Sequence, residues 1–302
     1  MCLTMPDARV GEPLSCGSLA VFPLFSGRSL FAEDENRLEY LLAHEAMARG
    51  SVVVTEVSNE GVVGDLLVRN DSETPVLMLD GSSLMGGKQS RVLNTTALLG
   101  GRSETRIPVS CIEVGRWGGT WGQFKSGSHC PPSLRRVIKE GSLSGGGQSS
   151  VWMEIRQKHR ALGVSSPTGD LGAALESHRE KVEQLKKQFP YPSPANGVAV
   201  VLCGKVIAVD ILDKPATLEK VWDRLQEGML LDFLEVPDVA SQATGADVSA
   251  ELYRIRNLPT WHEVKAVGLG REYRARDNGI FADALLHEGV MLHASAAMRF
   301  VR

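Results

Sequence analysis

Between residues 80 and 117 the chain gathers Lys88, Gln89, Arg91, Asn94, Glu113, Arg116 and Trp117. Strand formation has no need of all of these in one short stretch, so the cluster points to a site. Lys88, Arg91 and Arg116 would neutralise a phosphate. Gln89 and Asn94, with Gln148 further along, would read polar groups, and Trp117 or Trp152 would stack on a base or a ribose-phosphate. Residues 85–125 hold Lys88, Arg91, Arg102, Arg106, Arg116 and Lys125 against Glu104 and Glu113, a positive island suited to one anionic ligand. Gly86-Gly87-Lys88 invites comparison with a phosphate loop. The G-x-x-x-x-G-K-[S/T] spacing is missing and a strand pattern follows, so the two glycines read as a turn.

Covalent or acid/base chemistry centres on Cys111 and Glu113. Alternation along a strand places Ile107, Val109, Cys111 and Glu113 on one face, and two aliphatic neighbours favour a buried, inert thiol over a nucleophile. Glu113 as acid or base needs its pKa moved toward neutrality, yet nearby Arg116 lowers it. A metal centre is not expected. His287 and His293 are separated by a turn at Gly289, Glu263, Asp277, Asp283 and Glu288 are scattered, and Asp210 and Asp232 read as cap or ion-pair residues around a helix at 215–235.

The elements that must position these groups are legible from periodicity. Leu19 to Phe25 reads as a strand near an edge, because Pro23 lacks a ladder donor. A helix is expected over 34–49, with Asp34 as its cap and Gly50 past its end. Short strands follow at Val52–Val57, Val62–Val68, Val76–Leu79, Arg91–Leu99 and Arg106–Val114, joined by turns too short for helical crossovers. Residues 115–149 are rich in Gly, Ser and Pro and read as a long loop. Glycines at 118–119 and 145–147 bracket Trp121, Phe124, His129 and Arg135-Arg136, a layout expected of a lid over the 88–116 site. Helices are expected at about 150–162 and 169–188, the second with a Glu183–Lys187 pair. A hairpin turning at Cys203-Gly204-Lys205 precedes a helix capped by Thr217 with Leu218, Val221, Trp222, Leu225 and Met229 as its apolar stripe. Strands at Glu263–Leu269, Arg271–Arg276 and Gly289–Ala296 close the chain. The class is α+β: an antiparallel β-sandwich or barrel-like layer with helices inserted between sheet segments. We read it as a single domain over 14–301, with a β-rich part 14–114, the loop 115–149 and a mixed part 150–301.

Bulk properties narrow the partners. The 302 residues carry 33 Lys+Arg against 36 Asp+Glu, a net charge of −3, which gives no general attraction to nucleic acid or anionic lipid. Cys2, Cys16, Cys111, Cys130 and Cys203 are odd in number and lack a C-x-x-C pair, so reduced thiols and a cytoplasmic location are expected. No window approaches a membrane span. No cofactor or oligomeric state is indicated.

Gly81, Leu84, Gly86, Lys88, Gln89, Arg91, Asn94 and Thr95, followed by Ile107-Pro108-Val109-Ser110-Cys111, Glu113 and Gly115-Arg116-Trp117, resemble the two signature segments of a bacterial family, the ARG- and rhodanese-phosphatase-associated proteins. Gln148 with Trp152, Val209-Asp210, Leu231-Asp232 and His293 extend the likeness over residues 17–300. Ser90 and Leu212 depart from the family's Asn and Phe. Association with ADP-ribosylglycohydrolases and phosphatase-like proteins implies an ADP-ribose, NAD or nucleotide-derived ligand, without a mechanism. Three functions follow as expectations: recognition of a small anionic ligand, a hydrolase or transferase using Glu113 with Cys111, or a polar cluster that only satisfies backbone groups.

Overall fold

A computed structural model describes residues 5–27, 38–118, 123–144, 147–237, 239–240 and 242–300. In chain order its first elements are β1 (Ala8–Val10), β2 (Leu14–Cys16), β3 (Leu19–Ser26), β4 (Leu41–Leu42), α1 (Ala43–Ala48), β5 (Val52–Glu56), β6 (Asp65–Asn70), β7 (Val76–Met78), β8 (Ser82–Met85), β9 (Arg91–Leu93), β10 (Ala97–Leu99), β11 (Ser103–Cys111) and β12 (Lys125–His129). Then come α2 (Pro132–Ser144), α3 (Gly147–Ala161), α4 (Leu171–Ser177), α5 (Arg179–Lys186), β13 (Gly197–Leu202), β14 (Lys205–Leu212), α6 (Pro215–Phe233), α7 (Gly245–Arg256), β15 (His262–Val264), β16 (Arg271–Asp277), β17 (Ile280–His287) and β18 (Val290–Met298). The fold is α+β, with helices inserted between segments of three sheets, and its strand pairs are antiparallel except β4 with β7.

The nine-stranded sheet runs β1-β3-β13-β14-β18-β17-β16-β15, with β2 also on β3. Its central strands are apolar on both faces because both faces are covered. Leu19, Val21, Val198, Val200 and Leu202 pack with Leu218, Val221, Trp222 and Met229 of α6, while Ala20, Phe22, Leu24, Ala199 and Val201 pack with Val248 and Ile255 of α7. The six-stranded sheet, β12-β8-β9-β11-β6-β5, and the three-stranded sheet, β10-β7-β4, share a core of Val54, Leu66, Val68, Met78, Leu84, Leu93, Leu99, Ile107 and Phe124. Leu77, Leu79 and Leu98 join the core beneath α6.

Several sequence expectations change. Pro23 is one strand in from the edge, at the break between β1 and β2, where its carbonyl accepts from Gly11 N at 2.8 Å. A missing N–H costs little where the ladder is already interrupted. The helix expected over 34–49 begins only at Ala43, since Leu41–Leu42 pairs with β7; Asp34 lies outside the described residues. Gly50 takes the expected left-handed conformation at φ 74°. The single strand expected over 91–99 is two, broken at Asn94–Thr96. Thr217 lies inside the first turn of α6, which Pro215 opens, and Glu183 pairs with Lys186 at i,i+3 instead of Lys187. β1, β2, β8, β12, β17 and α7 lie outside the elements expected from the sequence, and the helix expected over 169–188 is two, α4 and α5.

The largest correction concerns 115–149. Residues 125–129 are a strand on β8 and 132–144 a helix, so these parts of the expected loop are fixed elements and do not form a lid. Phe124 belongs to the core, and His129 and Arg135 are buried. Trp121 and the glycines at 119, 122, 145 and 146 lie outside the described residues. No helix among the described residues is long and apolar enough to cross a membrane.

Candidate functional site

The turn at 86–90 joins β8 to β9, and it brings most of the expected site together. Gly86 and Gly87 have φ of 119° and 53°, so their carbonyls point away from the strand ladder and need partners. Arg116 supplies them: Nη1 donates to Gly87 O at 2.7 Å and to Gly118 O at 3.3 Å, and Nη2 to Gly86 O at 3.3 Å. The same guanidinium grips Glu113, Nε to Oε1 at 2.9 Å and Nη2 to Oε2 at 2.6 Å, and Ser90 N donates to Glu113 Oε2 at 3.0 Å. Arg116 is thereby spent on the protein. Burial pushes the Glu113 carboxyl up, but the hydrogen bonds from Arg116, Ser90 and Thr168 outweigh it and hold Glu113 below the usual carboxylate range.

Arg91, the first residue of β9, is 0% exposed. Its Nη1 donates to Gln89 O at 2.7 Å and approaches Gln89 Oε1 at 3.5 Å. Its Nε and Nη2 have no hydrogen-bond partner among the described residues. Glu56 is close, with Oε1 at 4.0 Å from Arg91 Nη2, beyond hydrogen-bonding reach. That oxygen instead accepts from Lys88 N at 2.9 Å, and Oε2 has no hydrogen-bond partner among the described residues. Trp117, 49% exposed, lies against Arg91 and Lys88, its ring centroid 5.7 Å from the Arg91 guanidinium and 5.8 Å from Lys88 Nζ.

The remaining expected residues serve β11. Gln148, on α3, acts as a substitute ladder partner: Cys111 N donates to its Oε1 and its Nε2 donates to Cys111 O, both at 2.8 Å. Asn94 accepts from Ser110 Oγ at 2.8 Å. Trp152, one helical turn beyond Gln148, is half-buried. The Cys111 thiol points to Val63 O at 3.7 Å, and burial pushes it up despite Arg91 nearby. Arg102 pairs with Glu73 and, like Arg106, lies toward the other end of β11, so the positive island contracts to Lys88, Arg91, Arg116 and Lys125, which is paired with Met85 at the start of β12.

A second polar constellation was not assembled from the sequence. Asp80 follows β7, Asp210 lies on β14, His293 and Ser295 lie on β18, and Arg135 and Lys139 lie one helical turn apart on α2. All are buried. Arg135 clasps Asp210 through Nη1 to Oδ2 at 2.8 Å and Nη2 to Oδ1 at 2.7 Å, and reaches Asp80 Oδ2 at 3.2 Å. Lys139 Nζ meets Asp80 at 2.9 Å and also contacts Asp283. His293 Nε2 lies 3.0 Å from Asp210 Oδ1, and Nδ1 lies 2.8 Å from Thr96 Oγ1. Asp80, Asp210 and His293 place ligand-type atoms within 4.8 Å of one another. Both carboxylates are already compensated by Arg135 and Lys139, and a cation there would meet two positive charges. Burial pushes Asp80 and Asp210 up, and Arg135 above all reverses it, leaving both well below the usual range. Asp210 therefore is an ion-pair residue as expected, but of this cluster and not of α6. Asp232 pairs with Lys158 and receives Ser133 N at the start of α2. The missed signal was the placement of Asp210, His293 and Ser295 inside otherwise apolar strands, where a polar group must be paired.

His129 completes this region and gives a test of it. Burial, reinforced by Arg135, pushes its imidazole down from 6.5 to about 3. Between those values the unfolded chain binds the extra proton, so His129's contribution is fully present above pH 6.5 and is lost as pH falls toward 3. Urea unfolding at pH 4.5, 5.5 and 6.5 should show wild type losing stability more steeply than His129→Phe, by about 1.4 kcal/mol per pH unit. Parallel slopes would mean that His129 protonates freely in the fold.

No curated protein and no solved structure matches this chain. The family model for the ARG and Rhodanese-Phosphatase-superfamily-associated Protein domain matches residues 7–297, and with both signature segments folded around the 86–90 turn and β11, the chain belongs to that family.

Proposed function

We propose that this protein recognises a small anionic ligand at the 86–90 turn, with Arg91 as its principal contact, Lys88 adding charge and Trp117 offering a stacking face. A buried guanidinium whose Nε and Nη2 lack hydrogen-bond partners among the described residues carries this reading. These two nitrogens form the side-on fork of arginine, which matches two oxygens of a carboxylate or phosphate. An orphaned buried donor pair costs stability, and an oxyanion would remove that cost. Within this reading an ADP-ribose, NAD or nucleotide derivative is the ligand class the family association favours. We further take the protein to be a single cytoplasmic domain with no nucleic-acid partner.

Calorimetric titration with ADP-ribose, NAD and ADP tests the reading. Arg91→Lys, which keeps the charge and removes the fork, should weaken binding about 10- to 100-fold. Equal affinity in wild type and variant would remove Arg91 from recognition, and no binding of any of the three would sink the nucleotide class.

A structural reading holds for part of the cluster. Gln148 and Arg116 spend their polar atoms on Cys111 and the glycine turn, and Asn94 Oδ1 accepts from Ser110, which supports a positioning role for these three. Acid/base or nucleophilic chemistry at Glu113 and Cys111 draws no support from an ionised carboxylate clamped by Arg116 and a thiol raised by burial.

A further inference from the structure

Two buried side chains of opposite charge, Arg91 and Glu56, each have polar atoms without a hydrogen bond among the described residues. Arg91 offers two donors, Nε and Nη2, and Glu56 offers one acceptor, Oε2. They approach to 4.0 Å without bonding, because each is anchored elsewhere: Arg91 Nη1 on Gln89 O, and Glu56 Oε1 on Lys88 N. A bare anion would satisfy Arg91 and leave Glu56 worse off, since a second negative charge would then lie beside a buried carboxylate. A molecule bearing a donor beside its oxyanion satisfies both.

Resting on the anion-recognition reading above, we infer that the ligand carries a hydroxyl adjacent to its carboxylate or phosphate, with the oxyanion on the Arg91 fork and the donor on Glu56 Oε2. An α-hydroxy acid and a phosphate ester with a vicinal hydroxyl share this chemistry. Specificity then lies in Glu56: buried polar groups built to pair with a ligand's donor reject the analogue that lacks it.

Matched pairs separate the possibilities: lactate against propionate for a carboxylate, and glycerol 3-phosphate against propyl phosphate for a phosphate, each titrated and followed by Trp fluorescence and calorimetry. Wild type should bind the hydroxylated member of at least one pair about tenfold or more tightly than its partner. Glu56→Gln keeps an oxygen for Lys88 N while replacing the free acceptor by a donor, and should erase that preference; Glu56→Asp, which retains the charge on a shorter stem, guards against a folding defect in the first variant. Arg91→Lys should weaken every member that binds. Equal affinities within both pairs, or a preference that survives in Glu56→Gln, overturns the inference and leaves anion recognition standing. So does a failure of all four to bind while ADP-ribose binds through Arg91. Binding indifferent to Arg91→Lys overturns both.

Discussion

Arg135→Met should cost about 3–5 kcal/mol of unfolding free energy, the usual result of removing one partner from a buried ion cluster. The substitution keeps much of the side-chain volume on α2, so cavity formation contributes little. What changes is the compensation of two carboxylates. Asp210 loses both of its short arginine bonds, at 2.7 and 2.8 Å, and retains His293; Asp80 keeps Lys139. The consequence extends beyond a local defect, because the cluster ties α2 to β14 and β18 of the nine-stranded sheet and to the turn after β7 of the three-stranded sheet. Urea unfolding at pH 7 measures the loss. Arg135→Met combined with Asp210→Leu should recover part of it, since removing both charges spares the burial of an unpaired one. A loss below about 1 kcal/mol in the single variant would show that Lys139 and His293 already compensate both carboxylates.

The contrast between this cluster and the 86–90 turn explains what could be read from residues alone. Lys88, Gln89, Arg91, Glu113, Arg116 and Trp117 lie close in sequence, and β9 and β11 are hydrogen-bonded neighbours, so a short-range pattern found them. Strand alternation likewise yielded β3, β5, β13 and β14, and the apolar stripe of α6. The buried cluster joins residues as far apart as Asp80 and Ser295, and only sheet topology brings them together. Composition misled in 115–149: Gly, Ser and Pro suggested a loop, yet Pro132 opens α2, where its missing N–H costs nothing, and β12 is held by pairing with β8 despite weak strand propensity. What neither period nor motif conveys is satisfaction. Arg116 and Arg91 look alike as letters, and hydrogen-bond partners alone separate the spent guanidinium from the one with an open fork.

Gly87→Ala should be the most disruptive single-methyl change in the site. Gly87 sits at φ 53°, a conformation costing a side-chain-bearing residue about 1 kcal/mol. The added Cβ would also fall 2.1 Å from Cζ of Phe124, a buried core ring whose backbone N–H is fixed to Val54 O at 3.0 Å. The ring has little freedom to retreat, so the turn must shift. Its carbonyl is the one that Arg116 Nη1 holds at 2.7 Å, and displacement therefore propagates to Arg116, Glu113 and the Lys88 N–H that anchors Glu56. We expect a loss of about 2–4 kcal/mol, the sum of backbone strain and overpacking. Ligand affinity should fall with it, because the Glu56 and Arg91 groups depend on the same turn for their spacing. Phe124→Leu tests the cause: the smaller side chain should restore part of the stability lost in Gly87→Ala while costing stability alone. Purely additive losses in the double variant would show that the ring is not what excludes the methyl group and would leave backbone strain as the whole effect.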